Sequence, residues 1–152
     1  MPKKNSARRG KCKFNVDPVV LVAASVLAQL PEKMRVLANA IRAASAAIGT
    51  DKFNGAHDQA KEAYSTVNNF ANNSWNALDP VIVRGDPETV LLERISRGTQ
   101  KRVEAIYKAT GNFFNRGNFE ETFSDIGTVE AVADALAECG DEIRTIVRKY
   151  GF

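Results

Sequence analysis

Residues 128–152 read TVEAVADALAECGDEIRTIVRKYGF, and within them Val129, Val132, Leu136, Cys139, Ile143, Ile146 and Tyr150 follow one another in alternating steps of three and four. That spacing holds the seven side chains on one stripe of an α-helix, a heptad-like seam that must be covered by other helices. With Thr128 as N-cap the helix runs for about 22 residues, roughly 33 Å at about 1.5 Å per residue. Cys139 lies within the seam and reads as a buried free thiol acting as a small hydrophobe.

The rest of the chain repeats the helical pattern. In DPVVLVAASVLAQLP, Asp17 is placed to cap a helix that Pro18 opens, and Pro31 is expected to kink or restart it after Leu30. The restarted piece keeps helical spacing through Met34, Leu37, Ile41 and Ile48 and stops at Gly49. A further helix is expected from Gly55 to Leu78, with Ala56, Ala60, Ala63, Tyr64, Val67, Phe70 and Ala71 on its apolar side. Its asparagine-rich end, NFANNSWNAL, should fray, because Asn is a poor helix interior residue. Asp86 and Pro87 repeat the opening device of Asp17 and Pro18, and the helix they start should end at Gly111, weakened midway by Gly98. Strand signals are scarce. We therefore expect an all-α protein, four to five helices packed as a bundle, with residues 14–152 as one domain.

Residues 1–13 stand apart. Lys3, Lys4, Arg8, Arg9, Lys11 and Lys13 lie there with no acid among them, so the remaining 139 residues carry 15 basic against 18 acidic groups. The net charge of +3 is therefore the property of an N-terminal arm. Six cations in so short a segment repel one another, and such an arm is ordered only by phosphate or another anionic surface. Cys12 and Cys139 are too far apart for a CxxC metal or redox motif, which suits a reducing compartment. The longest apolar run, VVLVAASVLAQL, is shorter than the roughly 20 residues of a membrane span.

Catalytic constellations are not apparent. His57, the only histidine, has no Cys or His at ligand spacing and reads as a surface or capping residue. Glu120 with Glu121, and Asp141 with Glu142, are adjacent pairs that do not face each other on a helix, so neither forms a tuned carboxylate dyad. No glycine-rich phosphate loop follows a strand. An enzyme is not expected, nor a cofactor or metal. Arg84-Gly85-Asp86 is explained by the helix cap, and Asn72-Asn73-Ser74 has no sign of secretion beside it.

One helix does show a polar chemistry. At about 100° per residue, Arg94, Arg97, Lys101 and Lys108 fall within roughly 60° of one another, opposite Leu92, Ile95, Val103 and Ile106. This is a core face backed by a cationic ridge, with Glu104 flanking it. Alone it could be a solvated face. Together with Arg8, Arg9, Lys11 and Lys13 of the arm it makes a candidate surface for a polyanion.

Residues 109–127, ATGNFFNRGNFEETFSDIG, hold four of the eight phenylalanines. Thr110 and Gly111 end a long helix, and Phe114, Asn115, Arg116, Gly117, Asn118, Phe119 and Glu120 follow. This resembles the signature of the coat proteins of rod-shaped plant RNA viruses (tobamovirus- or virgavirus-like), in which such a helix leads into an aromatic residue, arginine, two variable residues, Phe and Glu. Leu78-Asp79-Pro80 is similar to a run entering another helix of that family. The resemblance implies a structural coat protein that polymerises into a helical nucleocapsid around a viral genome, RNA favoured over DNA. It would then reside in the virion, and in the host cytoplasm during assembly. It also implies that Phe113, Phe114, Phe119 and Phe123 form a girdle between subunits, with Arg116 holding Glu120 or a backbone carbonyl. A loop folded over the chain's own core is the alternative for these rings, and both stay open. The family's RNA-contacting residues have no positional match, so the nucleic-acid candidates rest on arm and ridge. Filamentous viruses of archaea, with all-helical coats and basic arms around DNA, fit the layout too.

A second resemblance is to the helical hairpins exported by type VII secretion, which turn at a Trp-x-Gly motif. Phe53-Asn54-Gly55 would be that turn, with phenylalanine in place of tryptophan.

Overall fold

The computed structural model describes residues 18–78, 87–109 and 115–152. Every regular element in them is helical: α1 Pro18–Ala47, α2 Phe53–Leu78, α3 Pro87–Ala109, α4 Arg116–Phe123 and α5 Ile126–Val147, followed by a single 3-10 turn at Arg148–Tyr150. The expected helical bundle is therefore present, and among the described residues there is no strand. The arm, the proposed caps Asp17 and Asp86, the Asp79-Pro80 pair, Gly111 and Cys12 lie outside the described residues.

α1 is the central helix. Val20, Ala23, Ala24, Leu27, Leu30, Met34, Leu37, Ala38, Ile41 and Ala44 are buried along it, a stripe wide enough to serve neighbours on two sides. Of the two expectations for Pro31, a restart is overturned, because one continuous helix runs through it. Proline removes one i→i−4 hydrogen bond, but Pro31 is buried against Gly140 of α5. A Cβ at Gly140 would stand 3.4 Å from the Cβ of Pro31, so the two helices pack closely here, at the near limit of ordinary van der Waals contact for a methyl group. α1 ends at Ala47, where Thr50 N–H donates to the Ala47 carbonyl at 2.9 Å. Gly49 then supplies the left-handed φ of 81° that turns the chain toward α2.

α2 returns antiparallel to α1, as Ser74 near its end lies against Ala23 near the start of α1. It holds helical geometry through the asparagines to Leu78, where fraying was expected. Tyr64, Val67, Ala71 and Leu78 are buried in the shared core, which offsets the poor propensity of the asparagines. α5 is antiparallel to α1 as well: Arg42 Nε and Nη2 donate to Glu130 Oε2 and Oε1 at 3.0 and 2.9 Å, while Gly140 meets Pro31 lower down. Its seam is the one read from sequence, with Val129, Leu136, Cys139, Ile143 and Tyr150 buried and Val132 and Ile146 half-buried. The N-cap, however, is Asp125 and not Thr128. Asp125 Oδ1 accepts from Gly127 N–H at 3.2 Å and Oδ2 from the Thr128 hydroxyl at 2.9 Å, so the threonine braces the cap.

α4, not expected as a helix, is begun by Asn115, whose Oδ1 accepts from Asn118 N–H at 3.1 Å. It closes the end of the bundle where α1 finishes and α2 starts: Ser45 donates its hydroxyl to the Phe123 carbonyl at 2.7 Å. Phe119 and Phe123 are fully buried there, with Phe53 and His57 of α2 against Phe119 at ring-centroid distances of 5.8 and 5.1 Å.

Candidate nucleic-acid interface

Pro87 at the first position of α3 suits a helix start, since its missing N–H has no intrahelical acceptor there. The buried side of α3 consists of Thr89, Leu92, Ser96, Thr99 and Val103, again in steps of three and four. Ile95, expected on this face, is half-buried at its edge, and the side chain of Ile106 lies outside the described residues. Among the described residues three of the five inner positions are thus hydroxyls, and polar bonds replace part of the apolar contact. Ser74 Oγ donates to the Ala23 carbonyl at 3.3 Å and lies 2.9 Å from Ser96 Oγ, which leaves Ser96 as the donor of that bond. Gln100 Nε2 donates to Asn72 Oδ1 at 2.6 Å. The Cys139 thiol lies 3.8 Å from Thr99 Oγ1 and is buried, as its place in the seam implied.

With the inner face fixed in this way, Arg94, Arg97, Lys101 and Lys108 are all exposed on the outer side. At about 1.5 Å per residue the ridge from Arg94 to Lys108 is roughly 21 Å long. It is not uniformly free. Arg97 Nε meets Glu93 Oε1 at 2.9 Å and Lys108 Nζ meets Glu104 Oε1 at 3.7 Å, both one helical turn apart. Among the described residues Arg94 and Lys101 make no ion pair. Glu93 was not foreseen as part of the ridge, although its position four residues before Arg97 made it legible. Arg102, on the same helix, is turned away from the ridge and donates to Glu142 of α5 at 2.8 Å, which raises the affinity of its guanidinium for its proton.

The arm residues Arg8, Arg9, Lys11 and Lys13 and the rings Phe113 and Phe114 lie outside the described residues. Phe119 and Phe123, expected in a girdle between subunits, leave no surface exposed for one. Both are fully buried in this chain's own core, because they sit four apart on α4 and turn the same side of that helix into the bundle end. Arg116 is exposed and reaches Asp58 of α2 at 3.4 Å, where Glu120 or a carbonyl had been expected as its partner. Glu120 itself is exposed. His57 is not at the surface either: it is wholly buried, stacked near Phe53 at 5.6 Å and edge-on to Phe119. The spacing signalled this, since His57 continues the stripe of Phe53, Ala60, Tyr64, Val67 and Ala71 in steps of three and four; what the sequence did not show is that Phe119, from a separate helix, completes the cover.

Among the described residues no group of three or more His, Cys, Asp or Glu side chains could hold a metal ion, and no helix is long and apolar enough to cross a membrane. No family model, no curated protein and no solved structure matches this chain.

Proposed function

We propose that this chain is a structural coat protein that polymerises along a viral nucleic acid, RNA favoured over DNA, and neutralises its phosphates with α3 and the N-terminal arm. The observation that carries the reading is the pairing of two cationic features. The outer side of α3 presents Arg94 and Lys101 without acid partners, flanked by Arg97 and Lys108, and the first 13 residues hold six cations and no acid. A polyphosphate neutralises both at once, and each phosphate contact releases counterions, so binding falls steeply with salt. Subunit contacts through Phe119 and Phe123 are withdrawn from the proposal. Glu120, Arg116, Phe113 and Phe114 stay as candidates for contacts between copies.

The test is retention of a single-stranded homopolymer by the chain carrying Arg94→Ser, Arg97→Ser and Lys101→Ser. Removing up to three contacts should lower the slope of log K against log salt by about 2, at roughly 0.7 per contact on a single strand. Retention and slope equal to those of the parent would remove the ridge from the interface. Electron microscopy of the parent with polynucleotide should show rods or filaments.

The second reading, a type VII-like secreted hairpin, draws on the α1–α2 pair: two long antiparallel helices joined by residues 48–52, with Phe53 buried at the start of α2. Against it stand the further helices α3, α4 and α5 beyond the hairpin and the basic N-terminal arm. A secretion hairpin should stay a small oligomer indifferent to polynucleotide and salt.

A further inference from the structure

α3 and α5 cover one side of the α1–α2 hairpin, and the other side is left as a groove. Lys33, Val36 and Ala40 of α1 form one wall and Gln59, Glu62, Ala63 and Thr66 of α2 the other, around about 380 Å³. On α1 the surface extends further. Val22, Val26, Lys33, Val36 and Ala40 fall within about 80° of one another at 100° per residue. Val22 is 54% exposed and Val36 45%, and they are two of the four large hydrophobic side chains exposed among the described residues. Isolated exposed valines are unremarkable. Here both lie on one stripe that continues into a groove.

The charges of the groove suggest its occupant. Lys33 and Glu62 stand on opposite walls, and among the described residues neither makes an ion pair; the Lys33 ammonium instead lies 5.3 Å over the Phe70 ring. One cation on one wall and one anion on the other is the pattern a two-fold axis satisfies, since Lys33 of each copy then meets Glu62 of the other. We propose that the α1–α2 groove is a self-association surface, and that its occupant is the same groove of a second copy. The valines and alanines form its centre and two Lys33–Glu62 pairs fix its register. The surface goes beyond the coat reading, because pairing through it needs no nucleic acid. It also uses none of the ridge residues, so a dimer leaves α3 open to a polyanion.

Size sets the expected strength. From Val22 to Ala40 the stripe is roughly 27 Å long, and two helices side by side are about 20 Å wide, so each copy contributes about 540 Å². About 1,100 Å² in total is at the low end of specific interfaces, the size class of weak, reversible pairing.

The experiment is sedimentation equilibrium of the full chain, free of nucleic acid, at low salt, with Lys33→Glu, Glu62→Lys and the double exchange. Circular dichroism shows that each variant is folded. Each single reversal places like charges at two symmetric contacts and should weaken the dimer roughly tenfold, about 1.4 kcal/mol. The double exchange restores both pairs and should return the affinity to within about threefold of the parent, which a mere loss of packing would not do. Val36→Asp should leave a folded monomer. A parent chain that is monomeric at several hundred micromolar, or a dimer indifferent to both reversals, overturns the surface. Repeating the series with a polynucleotide separates this proposal from the coat reading. Polymers unaffected by either reversal would sink the groove and leave the coat; a dimer obeying the exchange but forming no polymer would do the opposite.

Discussion

Phe119 shows how one side chain can be assigned to the wrong surface. An aromatic ring in a segment between glycines suits a contact between subunits as well as a contact within one, since both reward large apolar area. Its full burial against Phe53, His57 and Phe123 settles the matter for this ring. Phe119→Ala should therefore cost about 3–5 kcal/mol of folding stability, read from urea denaturation. Against a total stability of about 5–15 kcal/mol, much of the variant would be unfolded or easily melted. A variant as stable as the parent but deficient in assembly would restore the interface role. Asp125 carries a different kind of prediction. The Thr128 hydroxyl, and then the Gly127 N–H, hold its carboxyl below the usual carboxylate range. A group whose folded value is depressed contributes stability above its unfolded value of about 4 and loses it as the pH falls through the folded one. Asp125→Ala should lower the urea midpoint at neutral pH, and the gap to the parent should close as the pH drops below about 4. Asp125→Asn keeps a cap but removes that pH dependence.

At the scale of elements, α3 and α5 are bound to the bundle by different means. α5 approaches α1 closely where Gly140 meets Pro31, so a side chain larger than a methyl group must push the helices apart. Gly140→Leu should destabilise by about 1–3 kcal/mol in thermal or urea unfolding. Gly140→Ala should be nearly neutral, as the gain in helix propensity offsets a snug contact. α3 instead depends on hydroxyls. Ser74→Ala removes the acceptor of Ser96 and leaves a buried donor unsatisfied, at a cost of about 1–3 kcal/mol. Adding Ser96→Ala removes that orphan, so the double variant should be less destabilised than the two single costs combined. Strict additivity in the four-variant cycle would refute the direct bond. The ion pair of Arg102 with Glu142 also joins α3 to α5, but it is half-exposed and contributes little beyond orientation.

On the scale of the whole molecule, charge and shape are divided between surfaces. The bundle end closed by α4 exposes four acids, Asp51, Asp58, Glu120 and Glu121, beside the cations Lys52 and Arg116, whereas the outer side of α3 exposes Arg94, Arg97, Lys101 and Lys108 beside Glu93 and Glu104. Raising the salt should therefore weaken polynucleotide binding through α3 far more than it weakens pairing through the α1–α2 groove, where two Lys33–Glu62 pairs are the only charged contacts proposed. Sedimentation and polynucleotide retention across one salt series would check this, and equal salt sensitivity of the two would contradict the division. Much of the architecture was legible in advance because it is written locally. The seam of α5, the stripe of α1 and the outward ridge of α3 depend only on a period of 3.6 residues, and periodicity can be counted along a chain. The sequence by itself determined that the protein is helical, which side of each long helix is apolar, and where the cations gather. What tertiary structure alone decided were meetings between residues far apart in the chain. Pro31 is buried against Gly140, His57 and Phe119 bury each other, and Ser74, Ser96 and Thr99 belong to the core because each finds a polar neighbour there. The cost of a buried hydroxyl depends on the partner that compensates it, and that partner is set by packing, not by local sequence.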